Sequence, residues 1–150
     1  MFYGHSTVAI DAKGRTNLPR ELRRELPSGA DGKVVVVPGP SATLLLFDAP
    51  AFERMIRSLQ SRERTPELAT HIRRLTALAA SSELDEQNRL TLPPRLVEWA
   101  ALENCVTFVG EGDRISLMHP SRFESEILGE GATPGFDGFL DTLQVPQEGA

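Results

Sequence analysis

Short apolar runs, each bounded by turn-forming residues, alternate along this chain with two stretches of helical spacing. Phe2 to Ile10 places Phe2, Thr7, Val8 and Ile10 in a segment that predicts a strand. Val34 to Val37 and Leu44 to Phe47 are continuous apolar runs separated by Pro-Gly-Pro-Ser, a strand-loop-strand pattern. The period then lengthens. Phe52, Met55, Ile56 and Leu59 follow Pro50 at helical spacing, and Leu68, Ile72, Leu75 and Leu78 or Ala79 follow Thr65-Pro66-Glu67, where the threonine stands at a helix cap. Two such helices are expected to form an antiparallel pair that links two halves.

The second half repeats the order of the first. Ala80 to Leu84 leads into a turn, Pro94 to Ala100 gives a short helix, and Cys105 to Val109 and Ile115 to Met118 give two strands joined through Gly110-Glu111-Gly112-Asp113. Asp11-Ala12-Lys13-Gly14-Arg15-Thr16-Asn17-Leu18-Pro19 returns, re-spelled, as Asp85-Glu86-Gln87-Asn88-Arg89-Leu90-Thr91-Leu92-Pro93. The offset is 74 residues at Asp11/Asp85, Arg15/Arg89, Pro19/Pro93 and Leu22/Leu96, and 71 at Leu46/Leu117 and Phe52/Phe123. An order preserved across strand, turn, helix, strand pair and helix implies a duplication.

Each copy of the motif reads as a hairpin turn with a basic tip. Asp11 and Asp85 are placed to accept backbone amides ahead of them. Gly14 supplies a positive φ, and Asn88, at the same place in the second copy, is the non-glycine residue that best tolerates it. Asp11, Gly14, Asp85 and Asn88 are therefore assigned to building the turns. Lys13, Arg15 and Arg89 are what the turns display, and a guanidinium fork suits phosphate or guanine edges. A second reading of the same residues pairs Asp11 with Arg15 and Asp85 with Arg89 as ion pairs that fix the turn. One arginine can serve both purposes.

Pro19 is expected to open a short helix over Arg20 to Leu26, because proline at a first helical position loses no hydrogen bond. Its Arg20, Arg23 and Arg24, and Arg95 in the second copy, suit phosphate contact, ordinary solvation or an ion pair between subunits. Arg73 and Arg74 are expected to be solvated, and Trp99 to belong to the core. Pro27, Ser28, Gly29, Asp31 and Gly32 mark a loop.

Charge alters the picture only through its distribution. The net charge of -5 argues against nucleic acid until it is located. From Ser121 onward Arg122 stands alone against Glu124, Glu126, Glu130, Asp137, Asp141 and Glu148, so the rest of the chain is neutral and holds a local basic run. From Gly129 the composition reads as an acidic, mobile tail. Phe136, Phe139, Leu140 and Leu143 could still form one amphipathic helix there, either docked on the same molecule or gripping a partner.

Catalytic signals are weak. His5, His71 and His119 lie in separate segments, no zinc spacing is legible, and the phosphate-loop and nucleophile-elbow motifs are absent. Cys105, the one cysteine, reads as a buried structural thiol and excludes an intrachain disulfide. No catalytic residue, metal or cofactor is expected, nor any membrane segment, and the default location is the cytoplasm.

Met1-Phe2-Tyr3-Gly4, the DAKGR motif closed by Leu18-Pro19, DEQNRLTLPPRL and VTFVGEGDRISL together resemble the MraZ family of division and cell-wall cluster regulators, over roughly residues 1–128. The resemblance implies an α+β fold of two tandem AbrB-like swapped-hairpin units, related to MazE and SpoVT, in a pseudo-dimeric β-rich core with short helices. It divides the chain into a first unit (1–53), linking helices (54–80), a second unit (81–128) and the tail (129–150). It further implies a nucleoid-associated homo-oligomeric ring that represses its own promoter through short direct repeats. In that family the DxxxR loops face DNA, which assigns Lys13, Arg15 and Arg89. Three departures stand out: Asn88 for a common glycine, Met118 for a frequent aromatic, and Gln87 where the first copy has Lys13. The two loops are thus expected to contribute unequally. The rival reading is a protein-interaction or antitoxin-like module that does not bind a promoter.

Overall fold

A computed structural model describes residues 1–27, 32–129 and 134–149. The loop read at Ser28 to Asp31 and the tail residues 130–133 lie outside the described residues. The chain divides into two compact units, Met1–Pro120 and Ser121–Ala150.

In the first unit the elements run β1 (His5–Ala9), β2 (Arg15–Asn17), α1 (Arg20–Arg23), β3 (Lys33–Gly39), β4 (Thr43–Asp48), α2 (Ala49–Gln60), α3 (Pro66–Leu78), β5 (Ala80–Glu83), β6 (Arg89–Thr91), α4 (Pro94–Trp99), β7 (Cys105–Gly110) and β8 (Ile115–Met118). Six strands form one antiparallel sheet in the order β1-β7-β8-β4-β3-β5, and β2 and β6 form a separate two-stranded ribbon. This is a β-rich α+β architecture built from two interlocked copies. β1 of the first copy pairs with β7 of the second, and β5 of the second pairs with β3 of the first.

The register carries the duplication. Leu45 lies opposite Ser116 in the β4–β8 pair, and Thr16 lies opposite Leu90 in the ribbon. Each of these pairs consists of equivalent residues, at the offsets of 71 and 74 found in the sequence, so an internal two-fold axis passes between both.

Alternation along the strands separates two apolar layers. Val34, Val36, Leu44, Leu46, Val106, Phe108, Ile115 and Leu117 face the ribbon side and pack with Leu18, Leu22, Leu90, Leu92 and Leu96. Val35, Val37 and Phe47 face the other way, against Phe52 and Met55 of α2 and Leu75 of α3. The second helix of the pair is capped as read: Thr65 Oγ1 accepts the Leu68 amide at 3.1 Å.

Several expectations need correction. The DxxxR segments are hairpins only at their tips. Asp11 N–H donates to Arg15 O at 2.9 Å and Ile10 bridges Thr16, after which β2 leaves β1 for β6. Helix α1 ends at Arg23 and not at Leu26, since one turn suffices to bury Leu22. Trp99 is 38% exposed, its indole N–H donating to Gly39 O at 3.1 Å. Arg74 is not simply solvated: its guanidinium lies 5.9 Å from the centroid of that ring, a cation–π contact that ties α3 to α4. Cys105 is half-buried, not buried.

The second unit is described by itself. A π-helical turn spans Glu124–Leu128, where Arg122 forms a bidentate pair with Glu126, and a short helix, α5, spans Phe136–Leu140. Phe136 and Phe139 stack at 6.0 Å, and both are exposed.

Candidate nucleic-acid interface

Each loop is organised by its aspartate. Asp11 Oδ1 accepts the amides of Lys13 and Arg15, both at 2.9 Å, while Oδ2 accepts Arg15 Nε at 2.7 Å. Asp85 repeats this with the amides of Gln87 and Arg89, at 2.8 and 2.9 Å, and with Arg89 Nε at 2.8 Å. Both carboxyls are held below the ordinary aspartate pKa, first by the backbone amide of the arginine, against a desolvation that acts the other way, and then by its side chain.

The fourth position closes each turn with a left-handed backbone. Gly14 has φ 80° and Asn88 φ 61°. The two sites differ in room. A Cβ on Gly14 would collide with the Leu92 carbonyl oxygen, which leaves glycine as the residue that fits. The close approach has a purpose, because Leu92 N–H donates to Gly14 O at 2.8 Å, and the two-fold equivalent, Leu18 N–H to Asn88 O, spans 3.1 Å. Each loop is therefore tied to the strand end of the other copy. Asn17 adds a tie that has no counterpart among the described residues, Nδ2 donating to Gln87 O at 2.7 Å.

The ribbon sets the arginines in one frame. Thr16 and Leu90 point inward and are buried, so Arg15, Asn17, Arg89 and Thr91 share the outward face. Arg15 sits opposite Thr91 and Arg89 opposite Asn17, which makes the two arginines diagonal neighbours about 7–8 Å apart. In both, Nε is engaged by aspartate, and no hydrogen bond of the terminal nitrogens is found among the described residues. The aspartate thus aims the guanidinium and leaves its outer edge available to an acceptor from outside the chain.

Lys13 is exposed on the first loop, and Gln87 occupies its place on the second. Arg23 turns back to donate to Leu18 O at 3.3 Å, whereas Arg20, Arg24 and Arg95 are exposed. A groove beside the first loop is lined by Lys13, Val97, Glu98, Leu102 and Glu103. No group of three or more His, Cys, Asp or Glu side chains fit to hold a metal ion occurs among the described residues, and no described helix is long and apolar enough to cross a membrane. Sequence reasoning passed over Asn17; the signal was its place two residues beyond Arg15, on the same strand face.

Two interlocked copies of a strand–turn–helix–strand-pair unit, each presenting an aspartate-braced arginine on a shared ribbon, define a tandem swapped-hairpin protein. The family model for MraZ protein, described as antitoxin-like, matches twice, at residues 1–75 and 75–127. The chain belongs to the MraZ family. Among its relatives, the transcriptional regulator MraZ of Methylococcus capsulatus is 33% identical, covering 91% of this chain and 93% of its own length. That of Thioalkalivibrio sulfidiphilus is 35% identical over 78% of this chain and 79% of its own. The one from Salinispora arenicola is 32% identical over 90% and 99%.

Proposed function

We propose that this chain is a sequence-specific DNA-binding transcriptional repressor that acts on direct repeats upstream of the division and cell-wall gene cluster, its own promoter included. The observation that carries the reading is the pair of arginines on one ribbon face, each held through Nε by its own aspartate, with no hydrogen bond on the terminal nitrogens among the described residues. The relatives named as transcriptional regulators support the general role. Arg15 and Arg89 contact phosphate or guanine, Lys13 adds a phosphate contact from the first loop, and Asp11, Gly14, Asp85 and Asn88 maintain the turns.

In this reading residues 1–53 and 81–128 are the two AbrB-like units, 54–80 link them, and 129–150 form an acidic, mobile tail. Several copies assemble into a ring in the cytoplasm at the nucleoid, so that weak contacts made in parallel give a tight complex. Repulsion from the acidic remainder discourages binding to arbitrary DNA. No catalysis, metal or cofactor is invoked.

Footprinting of the purified full chain on the region upstream of its own gene tests this. The expected result is protection of regularly spaced direct repeats; protection of nothing, at concentrations where the protein is folded, contradicts it. The antitoxin-like description of the family favours the rival, a protein-binding module. A stable protein complex isolated alongside an unprotected promoter would establish that rival.

A further inference from the structure

The ribbon carries polar chemistry beyond its two arginines. Asn17 and Thr91 share the outward face with them, and the internal two-fold maps one onto the other. Both are exposed. They are unlike in what they offer. The Asn17 amide is oriented by the Gln87 carbonyl, which can only accept, so the atom touching it is Nδ2. Oδ1 and one N–H are left for another partner. Thr91 offers a hydroxyl and a methyl, and its hydroxyl bonds nothing among the described residues. Its backbone N–H is engaged by Ser82 Oγ at 3.2 Å.

A two-stranded antiparallel ribbon fits the major groove, where amides and hydroxyls reach base edges. Arg15, beside Thr91, and Arg89, beside Asn17, hold diagonal corners of that face, from which they can bind guanine or fix the register on phosphate. We propose that Asn17 and Thr91 read base edges and, because they differ, give the two-fold-related loops a direction on DNA. This rests on the DNA-binding reading and adds specificity to it. Two identical halves would read an inverted repeat, since a two-fold protein matches a two-fold site. Unlike halves read a directional site, which is what direct repeats present. The Lys13/Gln87 difference breaks the symmetry as well, but an ammonium on phosphate carries no base information.

Selection from a randomised duplex pool, using full-length protein, tests the inference. Wild type is expected to yield an asymmetric consensus. Exchanging the two side chains, Asn17→Thr with Thr91→Asn, is expected to move the base preference from one end of that consensus to the other. Asn17→Ala is expected to lower the preference for the consensus over its single-base variants by about tenfold. Its salt dependence should stay that of wild type, because a neutral side chain releases no counterion. Where Asn17→Ala loses its fold, Thr91→Ala serves, with the same loss at the opposite end. A purely structural role for Asn17 would weaken all sequences alike, and that outcome, or an unchanged consensus in the exchanged protein, overturns the inference while leaving the DNA-binding reading intact. A wild-type protein that selects no sequence overturns both.

Discussion

Arg15 donates through Nε to Oδ2 of Asp11 at 2.7 Å, and the other oxygen of that carboxylate holds the amides of Lys13 and Arg15. If charge alone governed the proposed contact of Arg15 with DNA, a negative charge beside it would be counterproductive. Positioning predicts the opposite. Asp11→Ala makes the loop more positive yet releases two backbone donors and the guanidinium together. DNA affinity is expected to fall by about tenfold, a loss of roughly 1.4 kcal/mol in binding. A gain in affinity would show that the aspartate only opposes phosphate.

The two turns should respond differently at their fourth position. Gly14→Ala places a methyl against the Leu92 carbonyl at φ 80°, and a loss of about 1–3 kcal/mol in unfolding stability is expected. Asn88→Gly, at φ 61°, relieves a mildly strained backbone and should leave stability within about 0.5 kcal/mol of wild type. Chemical denaturation of both variants provides the comparison.

Leu90 faces inward beneath the arginines and is fully buried. Leu90→Ala leaves a cavity under the ribbon and is expected to lower stability by about 3 kcal/mol. Because Thr16 is its partner across the internal two-fold, both loops should lose order together, visible as faster amide exchange at Lys13 and Gln87. Exchange that rises at one loop only would contradict their coupling.

Acid should loosen the loops at a defined place. Both aspartates have depressed pKa values in the folded chain, so their contribution is complete above the ordinary aspartate range and is lost as pH falls through the lowered values. Loop order followed by NMR should therefore be flat from neutrality down to about pH 5 and fall only in stronger acid. Loss of order near pH 6 would point to a different titrating group.

Local chemistry in the chain was legible where one residue type meets one backbone demand. The Gly14/Asn88 exchange, the aspartate acceptors and the Thr65 cap all follow from side chains acting within four residues of themselves. Pairing across the copies did not follow from the residues alone. Whether Thr16 closes a hairpin with β1 or crosses to Leu90 depends on which partner buries its neighbours, and alternation is the same in both cases. Only the resemblance to a swapped-hairpin family implied the exchange. Trp99 was misplaced for a related reason: helical spacing locates a face, but Leu96 and Ala100 already fill the core beneath α4, and the indole is left to Gly39 and Arg74.

The central claim is that Arg15 and Arg89 contact DNA. Titration of promoter duplex with wild type, Arg15→Ala, Arg89→Ala and the double variant, each at several salt concentrations, tests it most directly. Each arginine lost from a phosphate should flatten the dependence of log K on log salt by about 0.9. With Lys13 beside it, Arg15 should account for the larger part of the binding. A folded double variant with wild-type affinity and wild-type slope would contradict the account.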